Sequence, residues 1–150
     1  MRFSTDDGRF GLIVTKLAGW QMFRFQMIID GRVIGDADEC IIGSAMARLT
    51  NLGQLEDSRF AALSTDPAAV LSVLETDEVL HDIAVVSIAE SLDQWLICSY
   101  VYRDTATMMA QELRGDDLVG PILVSTVPVA DYSTVMDAVR TFWLKTRELD

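Results

Sequence analysis

The chain has 150 residues, half of them apolar, enough to bury a core without disulfide or metal support and too apolar for disorder. Twelve Lys and Arg against 23 Asp and Glu give a net charge of −11. Such a field repels nucleic acid and anionic lipid, which need a basic face, and favours a cationic protein partner.

The charge is uneven. Residues 1–75 carry seven basic and ten acidic groups, a net of −3, and residues 76–150 carry five and thirteen, a net of −8. From Phe60 to Tyr102 there is no Lys or Arg, but there are seven acids: Asp66, Glu75, Asp77, Glu78, Asp82, Glu90 and Asp93. Charge kept only for solubility is normally mixed in sign.

In chain order, Arg9–Leu17 is a short β-forming run, broken by Gly19. From Trp20 to Ile29 the pattern alternates, and Phe23, Phe25, Met27 and Ile29 form a wholly apolar set that should face a core. Asp30-Gly31 follows, the dipeptide of a type I′ turn, and Arg32–Ile34 returns as the partner strand. Ile42, Ala45, Met46, Leu49 and Leu52 then share a helical face. Asp36, Asp38 and Glu39 read as charges favoured at that helix's N-terminus, and Asn51-Leu52-Gly53 as its stop.

Thr65-Asp66-Pro67 predicts a second helix start, with Asp66 as N-cap and Pro67 at the first position, running to about Glu75. Thr76–Asp82 reads as a loop, Ile83–Ala89 as a strand, Glu90–Asp93 as a turn and Gln94–Arg103 as a strong strand. That last strand is apolar on both faces, so one face meets helices and the other is covered by the chain or by a partner. Thr105–Leu113 has helix-forming Met, Ala, Gln and Glu, but the short link before it favours a strand. Asp116-Asp117 mark a loop. Val119–Val127 is a strand that Pro121 and Pro128 place at a sheet edge. A final helix, capped by Asp131, carries the stripe Tyr132, Val135, Met136, Val139, Phe142 and Trp143. Strands and helices without strict alternation predict an α+β fold over a single domain, 1–150: an antiparallel sheet with about three helices packed on it.

Chemistry finds little support. His81 is the only histidine, and its neighbour Asp82 is not placed by sequence to orient the ring. Ser44 lacks the second glycine of a nucleophile elbow. Cys40 and Cys98 stand apart among apolar neighbours, so buried thiols are expected rather than metal or redox use. Asp36-Ala37-Asp38-Glu39 resembles the start of a calcium loop without its glycine or closing glutamate. No phosphate loop is present. No catalytic residue, metal or cofactor is expected. The N-terminus lacks the apolar segment of a signal peptide and no apolar run is long enough to span a bilayer, so a cytoplasmic protein is expected.

The segment Phe25-Gln26-Met27-Ile28-Ile29-Asp30-Gly31-Arg32-Val33-Ile34-Gly35-Asp36, followed by Asp38-Glu39 and an apolar helix, resembles the immunity proteins of bacterial polymorphic-toxin systems, immunity family 42 in particular. The strand around Trp95 and the closing helix with Phe142-Trp143 fit the same outline. The resemblance implies a non-enzymatic protein that binds a cognate toxin domain, delivered by contact-dependent or secretion-system effectors, and blocks it inside the producing cell. Many such toxins are nucleases with basic clefts, which an acidic surface could occlude. The expected contact residues are Asp77, Glu78, Asp82, Glu90 and Asp93, with Asp36, Asp38, Glu39, Asp116 and Asp117 as second choices. The protein would act as a monomer or homodimer and contact neither nucleic acid nor membrane. An acidic secretion-effector chaperone is the alternative, although such chaperones usually open with a helix. A small carboxylate-dependent enzyme is less favoured still.

Overall fold

In a computed structural model, which describes residues 1–18, 22–36, 38–85 and 90–147, Asp30 and Gly31 adopt φ of 52° and 74°. Both values are positive, as a type I′ turn requires, so the hairpin between β3 (Met22–Ile29) and β4 (Arg32–Ile34) forms from local chemistry. β2 (Phe10–Lys16) pairs along the whole other side of β3, and β1 (Arg2–Ser4) pairs with β2. The apolar set Phe23, Phe25, Met27 and Ile29 faces inward and is buried.

Two differences from expectation follow. β1 was not expected, and Glu39–Ile41 forms a further strand, β5, paired with β3 at Met22–Arg24. Asp36, Asp38 and Glu39 are therefore not capping charges. Helix α1 (Ile42–Thr50) starts at Ile41 without a side-chain cap and without an acid in its first turn. Its buried face holds four of the five expected residues, Ile42, Ala45, Met46 and Leu49, while Leu52 lies beyond the helix end and is half-buried. Asn51 ends it, donating from Nδ2 to the Ala47 carbonyl at 2.9 Å.

A short unexpected helix, α2 (Asp57–Ala62), precedes α3 (Pro67–Thr76). Helix α3 begins as its sequence predicts, with Asp66 accepting from the Ala69 amide at 3.3 Å. The expected loop at Thr76–Asp82 is corrected to a helical corner. Asp77 ends α3 and caps α4 (Glu78–Ala84), accepting from Val79 N at 3.1 Å and Leu80 N at 2.9 Å. The strand expected over Ile83–Ala89 is also corrected. Ile83 and Ala84 are helical, Val85 makes an isolated bridge to Cys98, and 86–89 lie outside the described residues. The physical reason is capping: Asp77 supplies acceptors for two orphan amides, and Leu80 and Ala84 bury at helical spacing.

A 3₁₀ turn (Glu90–Leu92) leads into a three-stranded antiparallel sheet, β6 (Trp95–Tyr102), β7 (Thr105–Arg114) and β8 (Asp117–Pro128). Thr105–Leu113 is thus a strand, and Pro121 sits on the edge strand at a break in register near Ala110 and Glu112. Helix α5 (Val129–Arg147) starts two residues before Asp131, which lies in its first turn.

The fold is α+β, with its antiparallel strands divided between a five-stranded and a three-stranded sheet. The inner faces of both sheets and the buried stripes of α1 and α5 make one apolar cluster. The outer face of β6 and β7, with Cys98, Tyr100 and Met109, makes a second cluster with Val70, Leu71, Leu74 and Leu80 from α3 and α4. That answers the two-faced apolar character of β6: its own chain covers both sides. Its edge is partly occupied too, by hydrogen bonds between Val101 and the Gly53 and Leu55 backbone.

Candidate partner-binding surface

Ten acids were expected at a partner surface, and the fold sorts them into two groups. The first lies at the α3–α4 corner. Asp77 caps α4, while Glu78 and Asp82 are exposed on it. A shallow groove there is lined by Glu78 and Asp82 together with Glu75, Thr76 and His81. His81 Nδ1 lies 2.9 Å from the Glu75 carbonyl, which can only accept, so the proton sits on Nδ1. Asp82 is not placed on that nitrogen.

The second group gathers about the turn that leads into β6. The Asp36 amide donates to the Ser91 carbonyl at 2.9 Å, which sets the Asp36–Glu39 segment beside the Glu90–Leu92 turn. Ser91 in turn donates its hydroxyl to the Phe25 carbonyl. This 3₁₀ turn therefore fills the gap that β4 and β5 leave along β3. Gly35 is needed there: its φ is 100°, and a Cβ would meet Leu92 Cδ2 at 2.9 Å. The Leu113 amide donates to the Gln94 carbonyl at 2.8 Å, and Trp95 pairs with Glu112. Asp93 thus lies by the β7–β8 turn that carries Asp116 and Asp117. Asp36, Asp38, Glu39, Asp93, Asp116 and Asp117 form this strand-end group beside the backbone of Glu90, and the structure adds Glu112.

Asp36 is partly engaged already, its Oδ1 accepting from the Asp38 amide at 2.8 Å. Glu39 stands opposite Arg24 across the β3–β5 pair, which offsets its charge. The acids with fewest internal duties are Glu78, Asp82, Asp93, Asp116 and Asp117, all exposed. Glu75 and Glu112 lie beside these groups without having been expected there. Glu75 had been read as a helix end, and Glu112 joins its group only through pairing with Trp95.

Burial, aided by the Glu75 charge, pushes the Cys98 thiol up to about 12. Among the described residues no group of three or more His, Cys, Asp or Glu is arranged to hold a metal ion. Among the described residues no helix is long and apolar enough to cross a membrane.

The fold is similar to the crystal structure of CdiI from Burkholderia dolosa AUO158, with a TM-score of 0.58 at 15% sequence identity. The likeness covers 94% of this chain and 99% of that one. No protein-family model matches the chain, so immunity family 42 in particular is not confirmed, and no curated protein matches its sequence.

Proposed function

We propose that this protein is an immunity protein of the contact-dependent-inhibition type, which binds a cognate toxin domain and occludes its active surface. The likeness to CdiI, an immunity protein, supports this most directly because it runs end to end in both chains. The surface chemistry fits: a net charge of −11, with exposed acids gathered at two places, attracts a basic toxin such as a nuclease. Acids at the rim of such an interface speed encounter and reject wrong partners, while buried apolar contacts hold the complex. No step of catalysis is required of this chain. Its location would be the cytoplasm, where an incoming toxin acts.

The direct test is co-expression with the C-terminal toxin domain of the effector encoded immediately upstream. Cells producing the toxin domain alone should stop growing, and this protein should restore growth and co-purify with the toxin. Failure to restore growth would sink the proposal. The electrostatic part is tested by Glu78→Lys with Asp82→Lys, which leaves the Asp77 cap intact. Association should slow about tenfold at low salt and become less salt-dependent. An unchanged association rate would remove the α3–α4 corner from the interface, leaving the strand-end group to be tested by Asp93→Lys with Asp117→Lys.

A further inference from the structure

A cleft of about 190 Å³ opens between the end of α1, residues 52–54 and α5. Its floor is apolar, made by Leu52, Val101, Val129 and Met136. Its rim is polar, with Gln54 on one side and Asp137 on the other. Two negative features converge on this small space. The Asp137 carboxylate is exposed, and among the described residues no cation pairs with it. Thr50, the last residue of α1, also lines the cleft, so the carbonyl end of that helix carries its partial negative charge here. Tyr132 already donates to the Leu49 carbonyl and Asn51 to that of Ala47, which fixes the helix end in place.

An apolar floor under a negative rim matches a side chain with an aliphatic stem and a cationic head. A purely apolar occupant would leave Asp137 desolvated without a partner, at a cost, and an anion would be repelled. We propose that the cleft receives a lysine or arginine side chain of the toxin domain, and so anchors the complex beside the acidic corner. This rests on the proposed immunity function. The residues beside the cleft also pack on α4. Gly53, next to Gln54, is packed so tightly on Ile83 that a Cβ there would lie 2.0 Å from Ile83 Cγ2, and Ile83 directly follows Asp82. A basic toxin surface lying over α4 would therefore reach the cleft with the same face. On this basis the α3–α4 corner, not the strand-end group, faces the toxin.

Two measurements test the assignment. In the first, ¹⁵N-labelled protein is titrated with n-butylammonium, the head and stem of a lysine, and in parallel with n-butanol. Butylammonium should shift the amides of Gln54, Val101, Ser133 and Asp137 saturably, Asp137→Asn should weaken this several-fold, and butanol should not reproduce it. Scattered shifts, or equal shifts with butanol, overturn the assignment. In the second, the affinity for the upstream toxin domain is measured for Asp137→Asn and for Ser133→Trp, which fills the cleft from an exposed position on α5. Both variants should melt like the wild type and bind about tenfold or more weakly. If the wild type binds and both variants bind as tightly, the cleft is refuted while the immunity function stands. If the wild type does not bind the toxin domain, the immunity function is refuted, and the cleft's assignment to the toxin falls with it.

Discussion

Ser99 and Ser125 are both fully buried hydroxyls, and their surroundings predict different responses to the same substitution. Ser125 joins the two sheets: it donates to the Arg9 carbonyl at 2.6 Å and accepts from the Asp30 amide at 2.7 Å. Ser125→Ala strands that amide and should cost about 1–2 kcal/mol. Ser99 Oγ has no hydrogen-bond partner among the described residues, so Ser99→Ala should be neutral or stabilise by up to about 1 kcal/mol. Urea denaturation of both variants checks this, and equal destabilisation would contradict it. Cys98 gives a pH prediction. Burial disfavours its thiolate, raising the folded-state value from an ordinary 9.0 to about 12. A group raised in the folded state stabilises fully below its unfolded value, and that contribution is lost as pH climbs toward the folded one. Stability should thus be insensitive to Cys98 at neutral pH and fall between about pH 9 and 12, less so in Cys98→Ala. Native protein at pH 8 should also resist alkylation at Cys98, whereas urea-unfolded protein should react. The buried state of Cys98 was legible in its apolar neighbours, whereas the roles of Ser99 and Ser125 were not, because residues far along the chain decide them.

Elements fixed by adjacent residues were readable; those fixed by distant partners were not. Asp30-Gly31 sets its own turn, Asp66-Pro67 starts α3, and the stripe from Tyr132 to Val139 marks α5, because each signal lies within a few residues. β5 has only three residues and exists through pairing with Met22–Arg24, so its acids looked like a helix start. Helix α4 was hidden by the β-branched residues that follow it, although Asp77-Glu78 and the Leu80–Ala84 spacing carried a usable signal. One consequence is testable. Asp77 was expected to touch a partner, yet it holds two amides of α4. Asp77→Ala should lower stability by about 1 kcal/mol in thermal or urea melts, before any effect on binding. A variant as stable as the wild type would mean that the cap contributes nothing.

At the scale of the molecule, the three-stranded sheet serves two apolar clusters at once, one on each face. Met27 belongs to the inner cluster and Leu74 to the outer, and both are fully buried. Met27→Ala and Leu74→Ala should each cost about 2–5 kcal/mol. Because the clusters share strands, both should lower the urea midpoint in one transition with unchanged slope; a separate early transition in Leu74→Ala would show that α2–α4 unfold alone. The sequence by itself determined the α+β class, the acidity of the surface, the first hairpin, the start of α3 and most of the buried faces of α1 and α5. Those follow from side-chain periodicity, turn chemistry and charge, all properties of neighbouring residues. Only the tertiary structure decided that the strands form two sheets and that the outer face of β6 is covered by its own chain. It alone also parted the acids into a helical corner and a strand-end group, and set Asp137 over an apolar cleft. Those outcomes depend on contacts between residues far apart in the chain, such as Asp36 with Ser91, Gly53 with Ile83 and Leu113 with Gln94. Local propensity carries no record of such pairings, because long-range packing selects them.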